Sequence, residues 1–520
     1  MDYRLFSLGF KDGSMLLRRF LPKLAASILI SLMLVSASAA QTPVAHKPNA
    51  PTTPVLTSLL TFDYTNGAYP GPMFLVQGTD GNYYGVTQDG GVSGNCTYSN
   101  GCGTFFKITP AGVLTTLYSF CSLSGCADGE FPNAGVALGA DGNFYGVTAR
   151  GASTNNGTIY KITPGGVLTT LHTFLGSDGA EPLGTLIWSG GYLYGTTYGQ
   201  GSTPYSYGTV FKVTPSGVLT TLYAFCSQPQ CADGSYPYAG LIQASDGNFY
   251  GATSEGGAVN PCPQTGYAGC GTIFRITPSG TLTTLHSFAG YPNDGSFPTS
   301  NLIQASDLTF YGTTGYGGAG SGVGGTAFKT TLDGSLTVIY NFCSKVLSGK
   351  CFDGFNPFSG LIQATDGSLF GSAEGGTNGN GLVYRLTLQG RLTVEHDFDQ
   401  SDGANPYGGI VQSTDGSFYG STQNGGTNYE VGTIYNLNVG LAPFVETLTT
   451  SGKVGSSVVI LGTSLTGATS VTFSGITAAF TVISSSEITV TVPTGATTGP
   501  VVVITPNGTL KSNKKFRIAP

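Results

Sequence analysis

The sequence predicts an all-β chain. It reads as a seven-bladed β-propeller of four-stranded antiparallel blades, closed in blade seven by the N-terminal strand and followed by an immunoglobulin-like β-sandwich. Three observations predict this. A strand-and-turn signature recurs seven times. The last repeat lacks one strand, which is found instead ahead of the first repeat. Past residue 440 the signature stops and a different Val/Ile/Thr pattern begins.

The clearest part of the signature is an aromatic-glycine step after a turn: TDGNYYG (79–85), ADGNFYG (140–146), SDGNFYG (245–251) and TDGSFYG (414–420). Degenerate copies are SGGYLYG (189–195), SDLTFYG (306–312) and TDGSLFG (365–371), giving seven steps spaced 49 to 61 residues apart. Each is followed by a segment such as GTVFKVTPSGVLTTLYAF (208–225) and preceded by a DGxxP step and a short apolar run such as GLIQA (240–244). One unit therefore holds four strand-length pieces, for example 240–245, 248–254, 271–277 and 281–288. Asp-Gly and Pro-Ser-Gly supply hairpin turns, and the alternation has period two. Four antiparallel strands per unit is the arithmetic of a propeller blade. No stretch of the repeat has helical spacing.

Closure follows from what the seventh unit lacks. It has the third strand GTIYNLN (432–438) but no LTTLxxF strand after it, whereas VLTSLLTF (55–62) stands alone before the first unit and matches VLTTLYSF (113–120). A ring completed this way has no open edge between its first and last blades.

These repeats resemble the bacterial "choice-of-anchor tandem repeat GloVer-containing" proteins over about residues 55–438. That resemblance implies an exported bacterial protein whose repeat array carries varied C-terminal modules, and it supplies no catalytic residues. Residues 443–518 show about seven short strands, including SVVILG, SVTFSG, EITVTVP and PVVVITPNG. The positions Val459-Ile460-Leu461-Gly462, Val471-Thr472-Phe473, Val492-Pro493 and Thr505-Pro506 resemble the IPT/TIG domain, which implies a spacer or binding module. The predicted organisation is a signal peptide (1–40), a Pro-rich linker (41–54), the propeller (55–440) and the IPT/TIG-like domain (441–520).

Arg18, Arg19 and Lys23 precede the apolar run LAASILISLMLV (24–35), and ASA (37–39) offers a cleavage site near Ala40. The run is too short to span a bilayer, so retention as an anchor is the lesser alternative, and Met15 is a candidate true start. No LPxTG-like sorting signal is read after the last module. Ten cysteines form five close pairs: Cys96 with Cys102, Cys121 with Cys126, Cys226 with Cys231, Cys262 with Cys270, and Cys343 with Cys351. An even count behind a signal favours disulfides over zinc, since no pair has CxxC spacing or a nearby histidine. The expected location is secreted, periplasmic or cell-surface. Charged residues are 9% of the chain against about 25% in typical soluble proteins, and the net charge is −6. With no basic patch to neutralise phosphates, nucleic acid is not an expected partner.

Candidate chemistry is sparse. The DG aspartates Asp80, Asp141, Asp246, Asp366 and Asp415 read as turn caps rather than calcium ligands. The DGxxP aspartates Asp128, Asp178, Asp233, Asp294, Asp353 and Asp402, with Asn66 in the first copy, read as repeated loop caps, with calcium the alternative. His172, His286 and His396 share one position in strand four with Tyr118, Tyr223 and Tyr340, and read as packing positions. Set in separate blades, they cannot converge. That disfavours a Ser-His-Asp triad, a zinc hydrolase and a copper-radical oxidase. No metal or cofactor is expected.

Antiparallel topology puts the four-to-one and two-to-three connections on one face of the disc, and all five cysteine pairs fall there. At the end of strand two on this looped face, one residue changes from blade to blade: Asp89, Arg150, Gln200, Glu255, Tyr316, Glu374 and Asn424, with a slip of one at Gln200 and Glu374. Either an asymmetric ligand binds this ring of side chains, or exposed loop residues drift there freely. Three functions follow. The first is a non-catalytic exported propeller binding an extracellular polysaccharide or envelope protein. The second is a carbohydrate-active hydrolase or lyase using paired carboxylates such as Glu255 and Glu374. The third is a structural envelope or adhesion component.

Overall fold

The computed structural model describes residues 53–519 apart from 72–74, 93–94, 97–99, 200–204, 264, 267, 320–323 and 428–429. The signal segment, nearly all of the linker and Gln200 lie outside the described residues. Seven four-stranded antiparallel sheets follow one another along the chain, their first strands beginning at Val76, Ala137, Ile187, Ile242, Ile303, Ile362 and Val411. We number these blades 1 to 7. Blade 7 comprises Val411–Gln412, Phe418–Thr422, Thr433–Asn438 and, as its outer strand, Val55–Thr61. That outer strand runs antiparallel to Thr433–Asn438, from Val55 opposite Asn438 to Thr61 opposite Thr433.

The seam between blades 7 and 1 has the same packing as every other blade junction. The phenylalanine ending each LTTLxxF segment sits edge-on against the third-strand aromatic of the next blade. Phe120–Tyr160, Phe174–Phe211, Phe225–Phe274, Phe288–Phe328, Phe342–Tyr384 and Phe398–Tyr435 have centroids 5.1 to 5.5 Å apart. At the seam Phe62 meets Phe106 at 5.6 Å. Deeper in the blades, Tyr83 of blade 1 stacks on Tyr419 of blade 7 at 4.0 Å. The Gln77 side-chain oxygen accepts the Thr414 N–H (3.3 Å), as Gln412 accepts Thr365 N–H (2.9 Å) one junction earlier.

The glycine of the aromatic-glycine step lies mid-strand rather than in a turn. A Cβ on Gly251 would come within 2.6 Å of Phe274 Cζ, and one on Gly312 within 2.7 Å of Phe328 Cζ. Strand two therefore needs glycine to seat the cross-strand ring. In blades 2, 6 and 7 that ring is a tyrosine, and the hydroxyls of Tyr160, Tyr384 and Tyr435 are buried without a protein partner. Blades 1, 3, 4 and 5 use Phe106, Phe211, Phe274 and Phe328 instead. Replacing Tyr160 by Phe is expected to raise stability by about 1 kcal/mol, measured by denaturant unfolding, because an unsatisfied buried hydroxyl is removed without loss of packing.

All ten cysteines are in disulfides, paired as the sequence spacing predicts. Cys96 is bonded to Cys102 and Cys121 to Cys126, both within the loops of blade 1 and its junction with blade 2. Cys226 is bonded to Cys231, Cys262 to Cys270, and Cys343 to Cys351. This fits an oxidising compartment. Among the described residues, no helix is long and apolar enough to cross a membrane.

After the ring, Glu446–Thr447, Ser457–Leu461, Glu487–Thr491 and Phe480–Val482 form one sheet of a sandwich. Ser470–Phe473, Ile476–Thr477, Val501–Thr505 and Gly508–Lys511 form the other, around a core that includes Ile460, Val471, Ile488 and Val503. This module sits on the tight-turn face of the disc. Ser486 Oγ donates to Thr79 O of blade 1 (2.7 Å), Thr463 and Thr414 of blade 7 share a hydroxyl bond (2.9 Å), and Arg517 reaches Ser245 O of blade 4 (3.4 Å). All three of these bonds are to residues at or beside the tight turns.

Candidate functional site

The DGxxP step frames the looped face. Its aspartate caps the four-to-one loop through both oxygens. Asp233 Oδ2 accepts the Tyr223 hydroxyl (2.7 Å), Ser227 N–H (3.0 Å) and Ser227 Oγ (2.9 Å), while Oδ1 accepts Gln228 N–H (3.2 Å). Asp128 and Asp353 repeat this with Tyr118 and Tyr340. In the other three blades the histidine takes the tyrosine's place, and His172, His286 and His396 pair with Asp178, Asp294 and Asp402 at 2.7 to 2.9 Å. The strand-four Tyr/His position is thus a hydrogen-bonding position, a correction to its reading as packing alone. At the seam both members change together. Leu60 stands where the donor would be, and Asn66 exchanges bonds with Asp63 instead (3.1 and 2.9 Å). Burial alone would raise the Asp178 carboxyl, but the His172 and Leu175 N–H bonds outweigh it and hold the group below the usual range. The stability contributed there is present above that range and is lost as pH falls through it.

Three residues after that aspartate, the backbone before each proline is left-handed: Tyr69, Phe131, Glu181, Tyr236, Phe297, Asn356 and Asn405 all have φ between 47° and 61°. Proline disfavours the right-handed region for its predecessor, and the left-handed one is strained for Tyr, Phe or Glu. Hydrogen bonds on both sides hold the conformation. Tyr236 N–H donates to Tyr207 O (2.8 Å) and its carbonyl accepts Ser254 N–H (3.0 Å); Glu181 does the same with Asn156 O (3.0 Å) and Tyr198 N–H (2.9 Å).

The blade-to-blade variable residues are held by the same frame. Asp89, Arg150, Glu255, Tyr316, Glu374 and Asn424 each bridge through the backbone to the residue after a DGxxP or NGxxP glycine: Ala68, Glu130, Ser235, Ser296, Phe355 and Ala404. The threonine ending strand two donates to the carbonyl of five of them, for example Thr253 to Glu255 O (2.9 Å). Blade 6 has Ala373 there, and Glu374, one residue nearer the strand, takes the bridge directly. In blade 3 Gly199 occupies the register position, its N–H donating to Ala180 O (3.2 Å). Arg150 is exposed; Asp89, Glu255, Tyr316, Glu374 and Asn424 are half-buried.

The pre-proline ring and a third ring just after the prolines complete the channel mouth. Leu183, Tyr238, Thr299, Phe358 and Tyr407 line a central void of ≈ 30 Å³, room for a water or two. Anything larger than a water or two is thus excluded from this void. Burial raises the Tyr238 hydroxyl, and the Asn133 side chain, two blades earlier, acts to lower it. Around the mouth the rings form two arcs. Tyr198 lies 5.2 Å from Tyr236 and 5.8 Å from Tyr238, and Tyr207 lies 5.7 Å from Tyr236. Tyr316 links Phe297 (5.8 Å) to Phe358 (5.9 Å), and Phe358 links to Tyr407 (6.0 Å). Sequence reasoning singled out the variable ring as the candidate site and did not single out either proline-flanking ring. The available signal was that the residues on either side of the proline vary while DG and Pro repeat.

Carboxylates sit among the rings. Burial pushes Asp89 up to about 6 and raises Glu130, Glu181, Glu255 and Glu374. Arg150 partly offsets the rise at Glu130 and Glu181, Ala268 N–H does so at Glu255, and Tyr407 and Asn356 do so at Glu374. Glu255 (blade 4) and Glu374 (blade 6) share none of these partners. A raised Asp89 favours folding most below the ordinary carboxylate range, and its contribution declines as pH climbs towards 6. One trio of metal-ligand type is present among the described residues, Cys102, Cys121 and Glu130. Both sulfurs are in disulfides, to Cys96 and Cys126, so no thiolate is available to a metal.

Fold and face together define a seven-bladed propeller with an elaborated mouth on one side and an immunoglobulin-like module on the other. The chain belongs to the Gloeobacter/Verrucomicrobia repeat family, which matches residues 96–262 and 261–480, and its C-terminal part matches the IPT/TIG domain at 443–518. The two matches overlap at 443–480, where the strands pair within the sandwich. No curated protein matches the chain. Similar solved structures include a luciferin-regenerating enzyme (11% identity, TM-score 0.37, 59% of this chain and 92% of that one). Another is a gluconolactonase from Xanthomonas campestris (15%, 0.34, 58% and 84%). A third is the extracellular domain of a hybrid two-component system from B. thetaiotaomicron (11%, 0.44, 90% and 58%). At these scores the likeness carries no argument about activity.

Proposed function

We propose that this protein is an exported glycan-binding propeller that engages a polysaccharide at the mouth of its looped face, with the IPT/TIG module as spacer. One observation carries the reading: two arcs of aromatic side chains, interleaved with half-buried glutamates, surround a channel too narrow to be the site itself. Aromatic faces stack on the C–H faces of sugars, and carboxylates accept their hydroxyls. The left-handed pre-proline residues support it further, because strain held in place by hydrogen bonds gathers at ligand sites.

The test is a glycan array probed with the full chain. Tyr198→Ala and Tyr316→Ala are each expected to weaken the best ligand about 2- to 12-fold, since one stacking contact is worth about 0.5–1.5 kcal/mol. Lys107→Ala, on strand three, should leave affinity unchanged. A wild-type chain that binds no glycan contradicts the proposal.

A further inference from the structure

The tyrosine arc on blades 3 and 4 surrounds a carboxylate that the protein itself leaves unneutralised. Glu255 is half-buried, and the groups it acts on are the neutral hydroxyls of Tyr198 and Tyr236, whose ionisation it opposes. Glu181 acts on the same Tyr198. Among the described residues neither glutamate has a basic side chain within the 4.0 Å of an ion pair. Arg150 acts on Glu181 only at longer range. A half-buried, unpaired carboxylate costs the fold stability. Such a cost at a binding mouth is offset when the ligand brings the missing charge.

The surroundings select the sign and the size of that ligand. Tyr198 and Tyr236 are inclined at 36° to each other, Tyr198 and Tyr238 at 86°, and Tyr207 and Tyr236 at 59°. They present ring faces from several directions, and a cation over such faces beside a carboxylate gains from both. Acids outnumber bases around the mouth, with Asp89, Glu130, Glu181, Glu255 and Glu374 against Arg150, which opposes uronic acids. Glu181 also lines an adjoining pocket of ≈ 240 Å³ with Gln88, Phe131, Asn133 and Arg150. That volume lies just under the roughly 300–1,000 Å³ of drug-sized sites. It suits one sugar ring, with amides and a guanidinium for its hydroxyls, better than a folded protein segment.

We propose that the polysaccharide recognised at this mouth carries primary amines, as a glucosamine polymer does, with the ammonium group held by Glu255 between Tyr198 and Tyr236. This rests on the glycan reading above. The test is calorimetric titration of the full chain with a β-linked glucosamine hexamer, its fully N-acetylated form, cellohexaose and a short polylysine. The glucosamine hexamer is expected to bind about 10-fold or more tighter than the two uncharged oligomers, the size of one partly desolvated cation contact. Glu255→Gln should erase that preference, weakening the glucosamine hexamer about 10-fold more than the uncharged oligomers, and raise the melting temperature. Tyr198→Leu should reduce the preference without the gain in melting temperature. Equal or tighter binding of the N-acetylated or neutral hexamer would overturn the charge assignment and leave the glycan reading standing. Polylysine binding as tight as that of the glucosamine hexamer, and equally sensitive to Glu255→Gln, would overturn it in favour of a basic protein. Failure of all three sugars to bind would overturn the amine assignment, and the glycan reading would then stand or fall on the array alone.

Discussion

Deleting residues 55–62 is expected to abolish cooperative unfolding of the ring. The segment supplies the outer strand of blade 7, paired from Val55 to Thr61 with Thr433–Asn438. It also supplies Phe62, which is fully buried against the third-strand aromatic Phe106 of blade 1. Losing a buried phenylalanine alone costs about 3–5 kcal/mol. The deletion in addition strips the ladder from a strand whose Ile434, Tyr435 and Leu437 are fully buried. Together these losses approach the whole stability of a typical domain, about 5–15 kcal/mol. Calorimetry should show a broad, low transition or aggregation, and a synthetic peptide of residues 53–64 should restore part of the native melt. Phe62→Ala should cost as much as Phe120→Ala or Phe225→Ala, because the seam is packed like the other junctions. Melting unchanged by the deletion would mean the ring is closed by something else.

The second large effect is expected at Asp233. It is fully buried and accepts four hydrogen bonds, two of them from backbone N–H groups of the loop it caps. Asp233→Ala leaves those donors stranded, at about 3–4 kcal/mol and a fall in melting temperature on the order of 5–10 °C. Tyr223→His should be nearly neutral, since blades 2, 4 and 6 use histidine as the donor. The pair Tyr223→Leu with Asp233→Asn copies the seam's Leu60 and Asn66, so the double variant should cost less than the sum of the singles. Additive costs would show that the Tyr/His–Asp pairing is not a unit.

Much of the fold was legible because a repeat gives seven readings of one pattern. The strand count, the orphan strand at 55–62, the five disulfides and the looped face all follow from alignment of the copies and from period-two alternation. The chemistry of the DGxxP loop was only half legible. The coincidence of Leu60 with Asn66 at the seam was a visible sign that Tyr or His and Asp act together. Taken one position at a time, the histidines looked like packing. The bulge at Leu117 of strand four, which is skipped between the Phe105–Tyr118 and Phe106–Thr116 pairs, leaves no trace, because LTTL alternates equally well in either register. The stacking of Tyr83 on Tyr419 joins blades 1 and 7 across the whole length of the ring's chain, where no local pattern operates. The left-handed pre-proline residues were hidden for another reason. Local propensity argues against Tyr, Phe or Glu in that conformation, and only tertiary hydrogen bonds hold them there.

The central claim is that the mouth of the looped face is where this protein binds its glycan. The most direct measurement is amide hydrogen exchange on the full chain with and without the tightest-binding array glycan. Protection should appear in segments 178–183, 197–199, 233–238, 254–256, 315–317 and 405–407, and the DG turns at 139–143 and 244–248 should be unchanged. Protection confined to those turns or to the IPT/TIG module at 443–518 would contradict the claim.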